Sequence, residues 1–316
     1  MTFSEEIHGK PWIQLVSWKP RAAIFHNFLS DRECKHIVDL AKGQMQRSEV
    51  VGEDNQTIDD IRTSYGTFLR RNHDPVIAAI EQRVALWTHL PVAHQEDMQV
   101  LRYGPTNKYG AHLDGEERTA TVLMYLVEPE EGGETTFVNS AVLLYCSQWI
   151  HPEIGQALDP GFSKCAKGHV AMKPKRGDAL LFWDRLPDYI QEDIYTEHTG
   201  CPVIRGVKWN AVKWIHGEVY DPPSWEEAQA GWAKPRPEAG ICADYEDNCE
   251  MWAKAGECEK NSGYMKGVAG GAGNCRKACK ACTVCAEGDT VCLGENRRRA
   301  GYLNFNEAEL KFPPGL

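Results

Sequence analysis

The sequence has no apolar run approaching the roughly 18–20 residues of a membrane-spanning helix, so no span is expected. It lacks a basic excess: Lys and Arg total 35 against 45 Asp and Glu, a formal net charge of −10. Nucleic-acid binders usually carry the opposite imbalance, so no nucleic-acid partner is expected. There is no internal repeat and no low-complexity tract, which removes solenoids and fibrous chains. The opening Met1-Thr2-Phe3-Ser4-Glu5-Glu6 has neither the basic start nor the apolar stretch of a signal peptide. The expectation is that a targeting segment or N-terminal anchor was removed, or that Met1 was added. The ending Pro313-Pro314-Gly315-Leu316 carries no retention signal. Cysteine is scarce through residue 240, where only Cys34, Cys146, Cys165 and Cys201 occur.

What is present begins with the other eight cysteines: Cys242, Cys249, Cys258, Cys275, Cys279, Cys282, Cys285 and Cys292. That crowding, after 240 residues of ordinary composition, predicts two modules and an oxidising compartment. Hydrophobic residues at 42% provide for a sizeable core and exclude a largely disordered chain.

Helix signals come first along the chain. Ser30-Asp31-Arg32-Glu33 is a capping box, and Ile37, Val38, Leu40, Ala41 and Met45 follow on a helical face. A second helix is predicted after Asp74, with Pro75 at its first position and Ile77, Ile80, Val84 and Trp87 on its face. Between them, Asn55-Gln56-Thr57 matches a glycosylation acceptor. From 97 to 217 the texture becomes short β-rich runs, at 99–103, 120–127, 141–146, 179–183 and 203–215, punctuated by Gly and Pro. These predict a β-sandwich or jelly roll with flanking helices, an α+β chain. Residues 221–240, with Pro222, Pro223, Pro235 and Pro237, read as a linker.

The first motif carrying chemistry is His112-Leu113-Asp114. In a strand, residues i and i+2 share a face, so the imidazole and the carboxylate project together. His198, just before the last β-rich run, could complete two histidines and a carboxylate on one face of a metal. That is the facial triad of non-haem iron(II) oxygenases, which leaves coordination positions open. In 207–216, alternation sets Lys208, Asn210, Val212, Trp214 and His216 on one face. It sets Val207, Trp209, Ala211, Lys213 and Ile215 on the other. A buried lysine needs an anionic partner, and the distal carboxylate of 2-oxoglutarate would suit Lys208. The competing reading is that both lysines are solvated and the tryptophans pack a core.

These pieces stand in order with several others: Ser17-Trp18-Lys19-Pro20-Arg21-Ala22, Arg62-Thr63-Ser64, Val100-Leu101-Arg102-Tyr103 and Gly132-Gly133-Glu134-Thr135. Thr121-Val122-Leu123-Met124-Tyr125-Leu126, Gly177-Asp178-Ala179-Leu180-Leu181-Phe182-Trp183, His198-Thr199-Gly200-Cys201-Pro202-Val203 and Gly206-Val207-Lys208-Trp209 complete the set. Together they resemble prolyl 4-hydroxylases of the plant and algal type, which are iron(II)- and 2-oxoglutarate-dependent dioxygenases. The resemblance implies a double-stranded β-helix with flanking N-terminal helices, His112, Asp114 and His198 as iron ligands, and Lys208 on the distal carboxylate of 2-oxoglutarate, helped by Tyr103 and Thr135. It implies Arg62, Arg118, Trp214 and His216 on the peptide side, with Arg62 in a mobile loop. The implied reaction hydroxylates C4 of a peptidyl proline in proline-rich chains. It consumes O2 and 2-oxoglutarate, releases succinate and CO2, and uses L-ascorbate to keep the iron reduced. The alternatives are a dioxygenase acting on lysine or another residue, and an inactive peptide-binding protein. One departure stands out. Only Gly115-Glu116-Glu117-Arg118-Thr119 separates Asp114 from the next strand, about a dozen residues fewer than usual in the family, which puts the substrate role of Arg118 in question.

The C-terminal cysteines, with Asp244, Trp252-Ala253, Gly256-Glu257-Cys258, Asn261 and Tyr264-Met265, resemble an ShK toxin-like (ShKT) domain. Six cysteines allow 15 pairings, and spacing selects none. The resemblance implies Cys242–Cys282, Cys249–Cys275 and Cys258–Cys279. A zinc or iron–sulfur site on Cys275, Cys279, Cys282 and Cys285 is the rival, and it would orphan the three upstream cysteines. Cys165 with Cys201 and Cys285 with Cys292 are expected pairs, Cys34 and Cys146 free thiols. The expected organisation is a catalytic domain over 1–220, a linker over 221–240, the ShKT-like module over 241–283 and a tail over 284–316. The expected location is the secretory pathway, in the endoplasmic reticulum or Golgi.

Overall fold

The computed structural model describes residues 9–48, 50–52, 55–57, 61–115, 117–140, 161–268, 271–304 and 306–316. The strand expected at 141–146, and Cys146 with it, lie outside the described residues.

Two antiparallel strands, β1 (Trp12–Trp18) and β2 (Arg21–His26), precede the first helix. Trp12, Ile13, Leu15 and Trp18 of β1 are exposed on a sheet edge, so no inside–outside pattern marks the strand in the sequence. α1 (Asp31–Ala41) and α2 (Pro75–Thr88) start at the predicted caps. Asp74 accepts from the amides of Val76 and Ile77 at 2.9 Å, a cap whose loss costs about 1 kcal/mol. Glu33, besides closing the capping box on Ser30, pairs with Arg83 at 2.6 Å and so ties α1 to α2. Between the helices lie β3 (Gln46–Arg47), β4 (Val50–Gly52), β5 (Asn55–Thr57) and β6 (Tyr65–Leu69).

The remaining strands follow: β7 (Met98–Tyr103), β8 (Tyr109–His112), β9 (Arg118–Val127), β10 (Glu131–Gly132) and β11 (Thr135–Phe137). After them come β12 (Val170–Met172), β13 (Ala179–Phe182), β14 (His198–Gly200), β15 (Val203–Arg205) and β16 (Lys208–His216). The run expected at 203–215 is thus two strands. Gly206 breaks it with φ +83°, and a Cβ there would lie 2.9 Å from the Glu130 amide nitrogen.

An eight-stranded sheet, β1-β2-β13-β9-β16-β7-β6-β3, faces a four-stranded sheet, β12-β11-β14-β8. This is the jelly roll of an α+β chain. Ile37, Val38 and Ala41 of α1 and Ile77, Ile80 and Val84 of α2 bury against one face of the large sheet, with Val122, Met124, Trp209, Ala211 and Ile215. Each such buried aliphatic side chain contributes about 1.5–3 kcal/mol. The helices therefore consume that face and leave the other to line a cavity between the sheets.

The expected linker and tail both contain helix. Residues 222–230 form a helix, α3 (Pro222–Ala230), capped by Asp221. Its two prolines sit in the first turn, where a missing N–H forfeits no helical bond. The chain beyond 284 forms a helix, Thr290–Arg299, and then docks on the catalytic domain. Glu309 grips Arg102 of β7 through two bonds at 2.6 and 2.7 Å, Leu303 donates to the Met45 carbonyl at 2.7 Å, and Leu310 joins the main core. Disulfides join Cys165–Cys201, Cys242–Cys282, Cys249–Cys275, Cys258–Cys279 and Cys285–Cys292. With all of Cys275, Cys279, Cys282 and Cys285 so engaged, the zinc or iron–sulfur reading falls. Cys34 is buried and unpaired, and burial pushes its thiol pKa far upward.

Candidate metal and cosubstrate site

Antiparallel pairing of β8 with β14 sets His112 directly opposite His198, on one face of the small sheet. Their ring centroids are 4.2 Å apart. Asp114 follows from the turn after β8. Ligand atoms from His112, Asp114 and His198 all lie within 4.8 Å of one another, the one such cluster among the described residues.

Each histidine is held through its far nitrogen. Nδ1 of His112 lies 2.8 Å from the Gly110 carbonyl, and Nδ1 of His198 lies 2.9 Å from the Thr196 carbonyl. A carbonyl only accepts, so Nδ1 carries the proton in both rings and Nε2 is left with its lone pair toward the cluster. Tyr109 stacks on His112 at 3.7 Å, and the Phe182 ring meets His198 edge-on at 4.8 Å. Burial, then the charge of His112, pushes His198 down to about 4, which keeps it neutral near pH 7. For Asp114 burial opposes ionisation, but His198, His112 and the Thr121 hydroxyl outweigh it and hold the carboxyl well below the usual range. Thr121 donates to Asp114 Oδ2 at 2.6 Å. Asp184, 2.9 Å from the same hydroxyl, is pushed the other way by burial and by the charge of Asp114. The cluster thus presents two imidazole nitrogens and one carboxylate, the donor set that suits iron(II).

The cluster opens on a cavity between the sheets. Lys208, Asn210, Val212 and Trp214 of β16 line it, as do Arg62, Tyr103 and Thr135. Lys208 stands opposite Tyr103 across the β16–β7 pair, and its Nζ lies 5.5 and 5.6 Å from the Tyr103 and Tyr125 rings. Tyr125 in turn donates to the Thr135 hydroxyl at 3.0 Å. The Lys208 ammonium donates to the Gly133 carbonyl at 2.8 Å, and no carboxylate among the described residues lies within ion-pair reach. Burial brings its pKa down to about 7, against an opposing pull from Glu134. Asn210 Oδ1 and Trp214 Nε1 are also buried with no hydrogen-bond partner. A buried cation without a counter-charge, beside two orphaned polar atoms, fits an anionic cosubstrate well.

Arg118 and His216 do not line this cavity. Both turn to Glu96: Arg118 Nε lies 2.7 Å and His216 Nε2 2.9 Å from Glu96 Oε1. Arg62 is buried, bonded to Gln99 at 2.7 Å and set over the Tyr109 ring. The sequence assigns no role to Thr121, Tyr125 or Glu96, although the first two stand in one of its motifs. For the first two a signal existed, since alternation along β9 sets Thr121, Leu123 and Tyr125 on one face. Glu96 precedes its strand and carries no pattern.

Residues 98–216 match the family model described as the 2OG-Fe(II) oxygenase superfamily, so the triad and all the cavity-lining residues but Arg62 lie within that match. The fold and site therefore define a 2-oxoglutarate-dependent oxygenase. The chain is 42% identical over 282 residues to Prolyl 4-hydroxylase 2 of Arabidopsis thaliana, covering 85% of this chain and 88% of that protein. It is 40% identical to Probable prolyl 4-hydroxylase 4 of the same organism, with the same coverage. Among solved structures, the viral collagen prolyl hydroxylase of Paramecium bursaria Chlorella virus-1, as its 2OG complex, aligns with 28% identity and a TM-score of 0.44 over 61% of this chain and 94% of that one. The chain belongs to the prolyl 4-hydroxylase family.

Proposed function

We propose that the protein hydroxylates proline in proline-rich peptide chains at C4, consuming O2 and 2-oxoglutarate and releasing succinate and CO2. The observation that carries this reading is the meeting, in one cavity, of an ordered His112, Asp114 and His198 cluster with the unpaired ammonium of Lys208. His112, Asp114 and His198 would hold the iron, and Lys208 the distal carboxylate of 2-oxoglutarate with Tyr103 and Thr135 beside it. When bound, iron(II) with 2-oxoglutarate and O2 supplies the oxidising power to place a hydroxyl on an unactivated carbon. The chain contributes the rest: fixed tautomers, a cavity between the sheets and a charge that orients the cosubstrate. Trp214, with its unpartnered indole N–H, offers the extended chain a donor at the cavity wall. L-Ascorbate is the reductant that would restore iron(II) after uncoupled turnover.

The five disulfides support residence in the secretory pathway, in the endoplasmic reticulum or Golgi. The three bonds within 242–282 support the ShKT-like reading of that module. The test of activity is incubation of a proline-rich peptide with Fe(II), 2-oxoglutarate and ascorbate, read by mass spectrometry. Gain of one oxygen on proline, lost in His112→Ala, is expected. Oxygen on another residue, or equal product with His112→Ala, would overturn the proposal.

A further inference from the structure

The turn between the ligand pair and β9 holds contacts that the proposed chemistry does not use. Asp114 is not in a strand. β8 ends at His112, and the backbone turns through Gly115 at φ +53°. The turn is closed by the Arg118 amide donating to the Gly115 carbonyl at 2.9 Å. A carboxylate on irregular backbone needs outside support to hold a ligand position. Thr121 supports the carboxylate end. The backbone end is held by Arg118, whose Nη1 donates to the Asp114 carbonyl at 2.8 Å. The guanidinium is itself fixed. Its Nε and Nη2 meet the two Glu96 oxygens at 2.7 and 3.3 Å, and its face lies 3.9 Å from the Trp214 ring. Glu96 is buried and anchored in turn, its amide donating to the Trp214 carbonyl at 2.9 Å.

We infer that Glu96 and Arg118 are positioning residues for the metal centre. They brace the Asp114 backbone, Arg118 directly from the start of β9 and Glu96 through Arg118. The inference rests on Asp114 being a metal ligand, as proposed above.

The test is Mn(II) binding to the full chain with 2-oxoglutarate and no peptide, by calorimetry and by electron paramagnetic resonance of the bound ion. Arg118→Met and Glu96→Gln should each raise the Mn(II) dissociation constant about tenfold and broaden the bound-ion spectrum. The double variant should be no worse than Arg118→Met, because the two act through one link. A higher KM for peptide with an unchanged Mn(II) constant would make Arg118 a substrate contact and overturn the inference. So would a lowered melting temperature with an unchanged Mn(II) constant. If Arg118→Met does not fold, Glu96→Gln, which keeps the shape and removes the charge, decides alone. Wild-type protein that binds no Mn(II) would overturn the metal-site reading and this inference with it. Normal wild-type binding with unaffected variants would overturn the inference alone.

Discussion

The two faces of β16 each carry a buried lysine five residues apart, and they treat it in opposite ways. Lys213 points into the core, fully buried, where its ammonium meets the Glu81 carboxylate of α2 at 2.8 Å and the Glu96 carbonyl. Lys208 points into the cavity, 4% exposed, with one backbone carbonyl at 2.8 Å. Burial costs both about the same, so the difference lies in what offsets it. On the core face the offset is internal and the residue belongs to the fold. On the cavity face no carboxylate among the described residues pairs with it, and a dianionic ligand can supply the counter-charge. A buried lysine is therefore a structural or a functional residue according to its partner, and the strand places the two kinds back to back.

Substitutions at these positions should separate the two roles. The largest effect is expected for Lys208→Met: turnover falls about 10³-fold, roughly 4 kcal/mol of transition-state stabilisation, while melting temperature is unchanged or higher. Steady-state kinetics beside a thermal melt reads both, and a melt that falls with activity would break the comparison. Lys213→Met should do the reverse. It strands Glu81 without a counter-ion and costs about 3 kcal/mol of stability, read by urea unfolding, with KM for 2-oxoglutarate unchanged in the folded fraction. Adding Glu81→Met to Lys213→Met should return much of that loss.

The pH dependence sharpens the contrast. With its pKa near 7, Lys208 is charged in the free protein only below that value. Affinity for 2-oxoglutarate should be level below pH 7 and fall about tenfold per unit above it, until the pKa of the complex is reached. Calorimetry in buffers of different ionisation enthalpy should show proton uptake in that range. Without ligand the sign is opposite. The unfolded chain keeps its proton to about pH 10, so the Lys208 contribution to stability rises between pH 7 and 10. The smallest effect concerns the back of the sheet. Glu309→Gln weakens a partly buried pair with Arg102 and should cost about 1 kcal/mol, with kinetics unmoved.

What the sequence made legible follows from how local each signal is. Strand alternation alone separated Lys208, Asn210, Val212 and Trp214 from Lys213, and the structure lines the cavity with those four. The same rule missed at His216, because the β16–β9 register shifts between Ile215 and His216 and turns that side chain toward Glu96. Both helix caps were legible because a cap is complete within four residues. The partner of Lys213 was not, since Glu81 lies 132 residues away. Prolines at 222 and 223 suggested a linker when they open a helix, and the docked C-terminus left no sign because its anchors, Leu310 and Glu309, meet partners brought close only by the fold.

The central claim is that the Lys208 ammonium reads the distal carboxylate of the cosubstrate. The most direct test is Mn(II)-loaded protein titrated with 2-oxoglutarate and with 2-oxopentanoate, which has the same carbon chain without the second carboxylate. Wild type should prefer 2-oxoglutarate by about 100-fold, and Lys208→Met should bind both acids alike, at the weaker affinity. A preference for 2-oxoglutarate that survives intact in Lys208→Met would contradict the account.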